Sequence, residues 1–180
     1  MRDTDKQILR KYYKTIRSNI IDRPKKDQEI FKQIINNRLI QDSSLILIYF
    51  STKDEVDTKE LIKFFLSSHK SVALPKVVDQ EIIFYYITSI NDVKTGRFGI
   101  QEPISDNKVS DYSNSVCIVP GICFDKNNYR IGYGGGYYDR FLKHYKGYKI
   151  GITYSECVVN EIAVESHDIQ LDMVISSSNY

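Results

Sequence analysis

Between Arg130 and Arg140 the chain reads R-I-G-Y-G-G-G-Y-Y-D-R, with Gly132, Gly134, Gly135 and Gly136 falling within five positions. Glycine lets backbone approach a ligand closely, and a helix start aims unpaired N–H groups outward, so a glycine-rich turn feeding a helix can hold phosphate oxygens. Arg130 and Arg140 could add charge-assisted hydrogen bonds, each worth roughly 1.5–3 kcal/mol when sheltered from water. Two nucleotide-binding templates are excluded. G-x-G-x-x-G beginning at Gly132 needs glycine where Tyr137 stands, and no G-K-[ST] occurs anywhere. A sharp bend for tight packing is the plainer use of the same glycines.

Asp139 stands in the first turn of the helix expected after this segment. There it can complement the helix dipole and pair with Lys143, or it can serve as a magnesium ligand beside nucleotide phosphates. Asp172, just ahead of the apolar run M-V-I, is a second carboxylate for such a site, and Asp168 is a third candidate that also suits a turn. Between Lys6 and Ile21 there are five basic residues and no acidic one, with Lys6, Arg10, Lys14 and Arg17 near one helical face. That face is either a solvated stripe or a set of cations free for phosphate. Glu55 can be surface, or its carboxylate can accept from paired N–H donors of a ligand.

These residues need a frame. Thr4 with Gln7 is a capping-box pattern, and Ile8, Leu9, Tyr12, Tyr13 and Ile16 continue with helical spacing, predicting a helix over 5–18. Pro24 opens a second helix carrying Ile30, Phe31, Ile34, Ile35 and Leu39. The run 45–50 predicts a strand covered on both faces, Asp57 and Glu60 cap a helix through Leu66, and 72–75 completes a β-α-β unit. Strands are expected at 82–87, 116–120, 150–153 and 173–176, a helix at 137–145, and loop over most of 88–114. The alternation predicts a three-layer α/β/α sandwich around a mainly parallel sheet. Ligands are expected at the carboxyl ends of its strands.

Composition limits the alternatives. The 180 residues suit one domain spanning 1–180, and 25 basic against 23 acidic residues leave +2, far from the excess of a nucleic-acid-coating protein. The apolar run 45–50 is far below the roughly 20 residues a membrane span requires. Cys117, Cys123 and Cys157 lack C-x-x-C spacing and are expected to be buried free thiols. A cytoplasmic protein with a small-molecule substrate is expected, acting as a monomer without nucleic-acid or membrane partners.

The run V-P-G-I-C-F-D at 119–125, continuing through R-I-G-Y-G-G-G-Y-Y-D-R-F-L to Leu142, resembles the signature of the 5-formyltetrahydrofolate cyclo-ligase family. K-Q-I-L-R at 6–10, E-V-D-T at 55–58, L-P-K at 74–76, F-G-I-Q-E-P at 98–103 and H-D-I-Q-L-D at 167–172 extend the similarity. The resemblance implies conversion of 5-formyltetrahydrofolate and ATP, with Mg²⁺, into methenyltetrahydrofolate, ADP and phosphate. It implies ATP contacts at Lys6, Gln7, Ile8, Leu9 and Arg10, and at Arg130, Ile131, Gly132, Tyr133, Gly134, Gly135, Gly136, Tyr137 and Tyr138. Folate contacts fall on Phe50, Glu55 and Tyr133 to Tyr137, and Asp139 and Asp172 match the metal positions. Lys6, Arg10, Arg130 and Arg140 would neutralise phosphate charge, so that catalysis is positioning plus electrostatics with no nucleophilic triad. Competing readings are an isomerase of sugar phosphates or a CoA transferase on a similar scaffold, and a Gly/Tyr/Arg patch that stacks single-stranded RNA.

Overall fold

The computed structural model describes residues 2–178, with side chains from Asp5 onward. In chain order the elements are α1 (Arg2–Ser18), α2 (Arg23–Ile35), α3 (Arg38–Asp42), β1 (Leu45–Ile48), α4 (Lys59–Ser67), β2 (Ser71–Val78), β3 (Glu81–Ile87), β4 (Val93–Thr95), β5 (Gln101–Pro103), β6 (Ser115–Val119), β7 (Cys123–Asp125), β8 (Arg130–Ile131), α5 (Tyr137–His144), β9 (Tyr148–Thr153), β10 (Val158–Val159) and β11 (Met173–Ser176). Six strands form the central sheet in the order β11-β9-β6-β1-β2-β3. All neighbours are parallel except β3, which returns beside β2 as an antiparallel edge.

The period-2 geometry of a strand explains why L-I-L-I is continuously apolar. Ile46 and Ile48 point into a core with Ile30 and Ile34 of α2 and Leu61 and Phe65 of α4. Leu45 and Leu47 point the other way, toward Leu142 of α5 and Tyr145. Val116 and Ile118 against Cys117 and Val119 repeat the division on β6. Each fully buried Leu, Ile or Phe contributes roughly 1.5–3 kcal/mol of transfer free energy. The result is a mainly parallel sheet covered by helices on both faces, as the alternation of elements implies.

Helix α1 packs elsewhere. Leu9, Tyr13, Ile16 and Ile20 lie against Cys123, Ile131, Cys157 and Ile162, a small core over the second sheet β10-β7-β8. This arrangement sets the basic face of α1 beside the segment that leaves β8.

Several boundaries differ from the sequence expectation for local reasons. α1 begins at Arg2, ahead of the expected cap at Thr4, whose side chain lies outside those described. Ile8 and Tyr12 stay 61% and 57% exposed, although their spacing fits an apolar stripe. The second helix stops at Ile35, because Asn37 starts a new one, its side chain accepting from the N–H groups of Leu39 and Ile40. Such a cap is worth about 1 kcal/mol. Within 88–114, β4 and β5 form a hairpin whose three-residue strands are too short to show alternation.

Candidate active site

The parallel strands β1 and β6 end side by side, and the loops that leave them carry the candidate residues. After β1, Thr58 staples the loop: its hydroxyl donates to the Tyr49 carbonyl at 2.7 Å and accepts from the Ser51 N–H at 2.9 Å. Thr58 is the N-cap residue of α4, and Asp57 just before it accepts from the Lys59 N–H at 3.0 Å. Arg23 of α2 donates to the carbonyls of Lys53 and Glu55, both at 2.9 Å. Thus held, Glu55 turns inward and is 8% exposed. One carboxylate oxygen accepts from the N–H and hydroxyl of Thr52 at 2.8 and 3.0 Å. The other accepts from the Tyr133 hydroxyl in a short hydrogen bond. Burial first, then the Glu55 charge, holds that hydroxyl well above the ordinary tyrosine range, so it remains a donor. The residue as a whole is nevertheless 48% exposed, with its hydroxyl end anchored.

Tyr133 belongs to the glycine-rich turn. Gly134 and Gly136 have φ of 103° and 65°, left-handed conformations that a side chain would strain. Gly136 is the N-cap residue of α5, and no side chain caps this helix. Arginines hold the turn from two sides. From α1, Arg10 Nε donates to the Gly132 carbonyl at 3.0 Å. From α5, Arg140 Nη1 donates to the Gly135 carbonyl at 2.9 Å, and its Nε and Nη2 donate to the Gln80 carbonyl beyond β2 at 3.1 and 2.7 Å. The same guanidinium lies 4.9 Å from the Tyr137 ring centroid.

Beneath the turn, Arg130 is 7% exposed and its Nη2 lies 3.1 Å from Asp139 Oδ1. Asp139 therefore pairs with Arg130 across the turn. Arg130 Nε and the Tyr138 hydroxyl are buried without a protein partner. Such orphaned donors carry a desolvation cost of about 1–3 kcal/mol each unless something meets them.

Asp139 Oδ1 also accepts from the Ile169 N–H at 3.3 Å, which ties the first turn of α5 to the loop that carries Asp168. Asp168 Oδ2 and Glu165 Oε2 both accept from Lys6 Nζ, at 2.6 and 2.8 Å. Burial alone would lower the Lys6 pKa, but its hydrogen bonds and attraction to the two carboxylates outweigh this and raise it. Glu165 is held below the ordinary glutamate value, chiefly by the hydrogen bond from Lys6. The ligand atoms of Glu165, His167 and Asp168 lie within 4.8 Å of one another. Asp172 stands apart. It precedes β11, where its carboxylate accepts from the Lys149 N–H at 2.7 Å at the amino ends of β9 and β11.

Of the 6–10 stretch, Lys6 and Arg10 therefore face the turn and the loop beside it, Leu9 packs on the small core, and Gln7 and Ile8 face outward. Phe50 lines a separate cleft of about 510 Å³ with Thr52, Lys53, Lys59, Val93 and Gln101, and Lys59 Nζ lies 5.8 Å from its ring centroid. That volume lies in the range of small-molecule sites. Cys117, Cys123 and Cys157 are free and buried, and burial raises all three thiols, Cys123 to about 12 and Cys157 to about 11. A thiolate nucleophile does not arise here. Thr52, Arg23 and Glu165 are the residues sequence reasoning missed. None lies in a biased stretch, and only the fold brings them to the site.

No helix of the described residues is long and apolar enough to cross a membrane. Over residues 2–177 the chain matches the model of the 5-formyltetrahydrofolate cyclo-ligase family. It is 27% identical to a probable 5-formyltetrahydrofolate cyclo-ligase of Caenorhabditis elegans, over 94% of this chain and 91% of that one. It is 29% identical to the 5-formyltetrahydrofolate cyclo-ligase of Escherichia coli K12, over 86% and 92%. Its structure is similar to that of a 5,10-methenyltetrahydrofolate synthetase from Aquifex aeolicus, with TM-score 0.86, 32% identity and coverage of 97% and 90%. A 5,10-methenyltetrahydrofolate synthetase from Mycoplasma pneumoniae superposes with TM-score 0.76 at 29% identity, over 95% and 98%. With the signature from Val119 to Leu142 folded into this turn, the chain belongs to the 5-formyltetrahydrofolate cyclo-ligase family.

Proposed function

We propose that the protein converts 5-formyltetrahydrofolate and ATP into 5,10-methenyltetrahydrofolate, ADP and phosphate. The observation that carries this reading is the glycine turn held by Arg10 and Arg140 over a buried arginine whose Nε has no protein partner. That arrangement is an anion cradle, and triphosphate oxygens fit it. The formyl oxygen attacks the terminal phosphorus and ADP leaves. The neighbouring substrate nitrogen then bonds to the formyl carbon, its proton is lost, and phosphate departs with the former formyl oxygen.

The chain's own groups supply charge and position. Arg10, Arg130 and Arg140 receive phosphate oxygens with the first-turn N–H groups of α5, and Lys6 joins them on leaving Glu165 and Asp168. Tyr133, Tyr137 and the cleft beside Phe50 give flat walls for the pterin and benzoyl rings, with Glu55 at the polar edge. For magnesium we assign Asp139, in the first turn of α5, with Asp172 or Asp168 as the second carboxylate, since carboxylate oxygens suit this hard cation. When bound, the ion neutralises phosphate charge. The same reading makes the protein a single-domain, cytoplasmic monomer, and size-exclusion chromatography checks its oligomeric state.

Incubation with 5-formyltetrahydrofolate, ATP and magnesium tests the activity, with each omitted in turn. Methenyl absorbance should appear only in the full mixture. Its absence with folded protein would defeat the assignment.

A further inference from the structure

The last cation on the basic face of α1 does not serve the glycine turn as Arg10 does. Arg17 is 7% exposed, and its Nη1 donates to the Gly121 carbonyl, just beyond β6, at 3.1 Å. Its Nη2 donates to the Tyr133 hydroxyl at 3.0 Å, and the guanidinium carbon lies 5.6 Å from the Tyr133 ring centroid. Arg17 Nε is buried with no protein partner. Tyr133 in turn donates to Glu55, whose other oxygen is held by both donors of Thr52. One guanidinium thus joins the chain leaving β6 to the ring in the glycine turn, and through that ring to the carboxylate beyond β1.

We infer that Arg17 is a positioning residue for the folate: it sets the Tyr133 ring and, through its hydroxyl, the Glu55 carboxylate, while leaving ATP alone. The inference rests on the cyclo-ligase reading. A tyrosine pinned only by Glu55 can swing about its side-chain torsions, and any ligand using it as a wall then bears the cost of ordering it. A second donor, aimed at the same hydroxyl from a rigid helix, removes that freedom before the substrate arrives. Arginine suits the task because its planar fork reaches two acceptors at once and lies against an aromatic ring, which a lysine ammonium on the same stem cannot match.

The test is a double-mutant cycle read in steady-state kinetics. Arg17→Gln should raise the KM for 5-formyltetrahydrofolate about tenfold, corresponding to roughly 1.4 kcal/mol, and leave the KM for ATP within about twofold. Tyr133→Phe should produce a similar rise. The combined variant should lie within about twofold of the worse single variant, because both changes remove one linkage. Arg17→Lys keeps the buried charge and can reach one acceptor, so an intermediate folate KM is expected. It stands in if Arg17→Gln does not fold. An unmoved folate KM in a folded Arg17 variant, an equal rise in the ATP KM, or additive effects in the cycle would overturn the inference. Failure of the wild-type enzyme to form methenyl product would instead overturn the cyclo-ligase reading.

Discussion

Two hydrogen-bonded networks tie α1 to the rest of the molecule, and they differ in what holds them: a carboxylate engaged by neutral donors at one end, a lysine shared by two carboxylates at the other. At the carboxyl end of α1, Glu55 accepts three hydrogen bonds, from Thr52 N–H, Thr52 hydroxyl and Tyr133, and the loop around it is fixed by Arg23 and Thr58. At the amino end, Lys6 is held by two carboxylates from a loop, and nearby Arg130 keeps a buried donor unpaired. The carboxyl end is preorganised around the fully engaged Glu55 carboxylate, although Arg17 Nε there is also buried without a partner, and this suits a flat ring that needs walls. The other end has donors in reserve and partners that can be exchanged, which suits a charged ligand bringing its own oxygens.

The largest effect should come from Asp139→Asn, which keeps the shape but removes the charge that faces Arg130. We expect turnover to fall on the order of a hundredfold or more, with the melting temperature also lowered because Arg130 stays buried without a charged partner. Near-normal turnover with a lowered melting temperature would return Asp139 to a purely structural role. Gly134→Ala strains a backbone at φ of 103° and should cost about 1–2 kcal/mol of stability. It should also raise the KM for ATP more than that for folate, as thermal melts and separate titrations will read. An equal rise in both would erase the contrast between the two ends.

Smaller effects concern charge. Glu165 is held below its ordinary value, so its contribution to stability is present above the usual glutamate pKa and is lost as pH falls through the depressed one. Lys6 is raised, so its contribution is full below its usual value and lost only as pH rises through the raised one. Glu165→Gln should therefore lower stability at neutral pH, where the charged carboxylate contributes, and flatten the acid side of a stability-against-pH curve. Smallest of all is the response to thiol reagents. With Cys123 near 12 and Cys157 near 11, native protein at neutral pH should label slowly and keep its activity, whereas unfolded protein labels at all three cysteines. Rapid labelling with loss of activity would show that the small core opens.

The glycine turn was legible because its signal is local: glycines, arginines and a carboxylate within eleven residues, placed by short-range geometry. The central sheet was legible from runs such as L-I-L-I, whose length and composition survive any tertiary context. The basic face of α1 was equally readable, but not its destination, since nothing in Lys6 or Arg17 says which carboxylate or carbonyl lies opposite. H-D-I-Q-L-D offers two aspartates four residues apart, and only the path of the loop turns Asp168 toward Lys6 of α1 and Asp172 toward Lys149. The strands of the second sheet run two or three residues each, too short for any period, so the small core that orients α1 was invisible from sequence.

The central claim is that this turn transfers the terminal phosphoryl group of ATP to the formyl oxygen of the folate. Substrate carrying ¹⁸O in the formyl group, incubated with the enzyme, ATP and magnesium, tests it by mass spectrometry of the released phosphate. The account predicts one labelled oxygen in each phosphate formed alongside methenyl product. Unlabelled phosphate, or methenyl product formed without phosphate release, would contradict it.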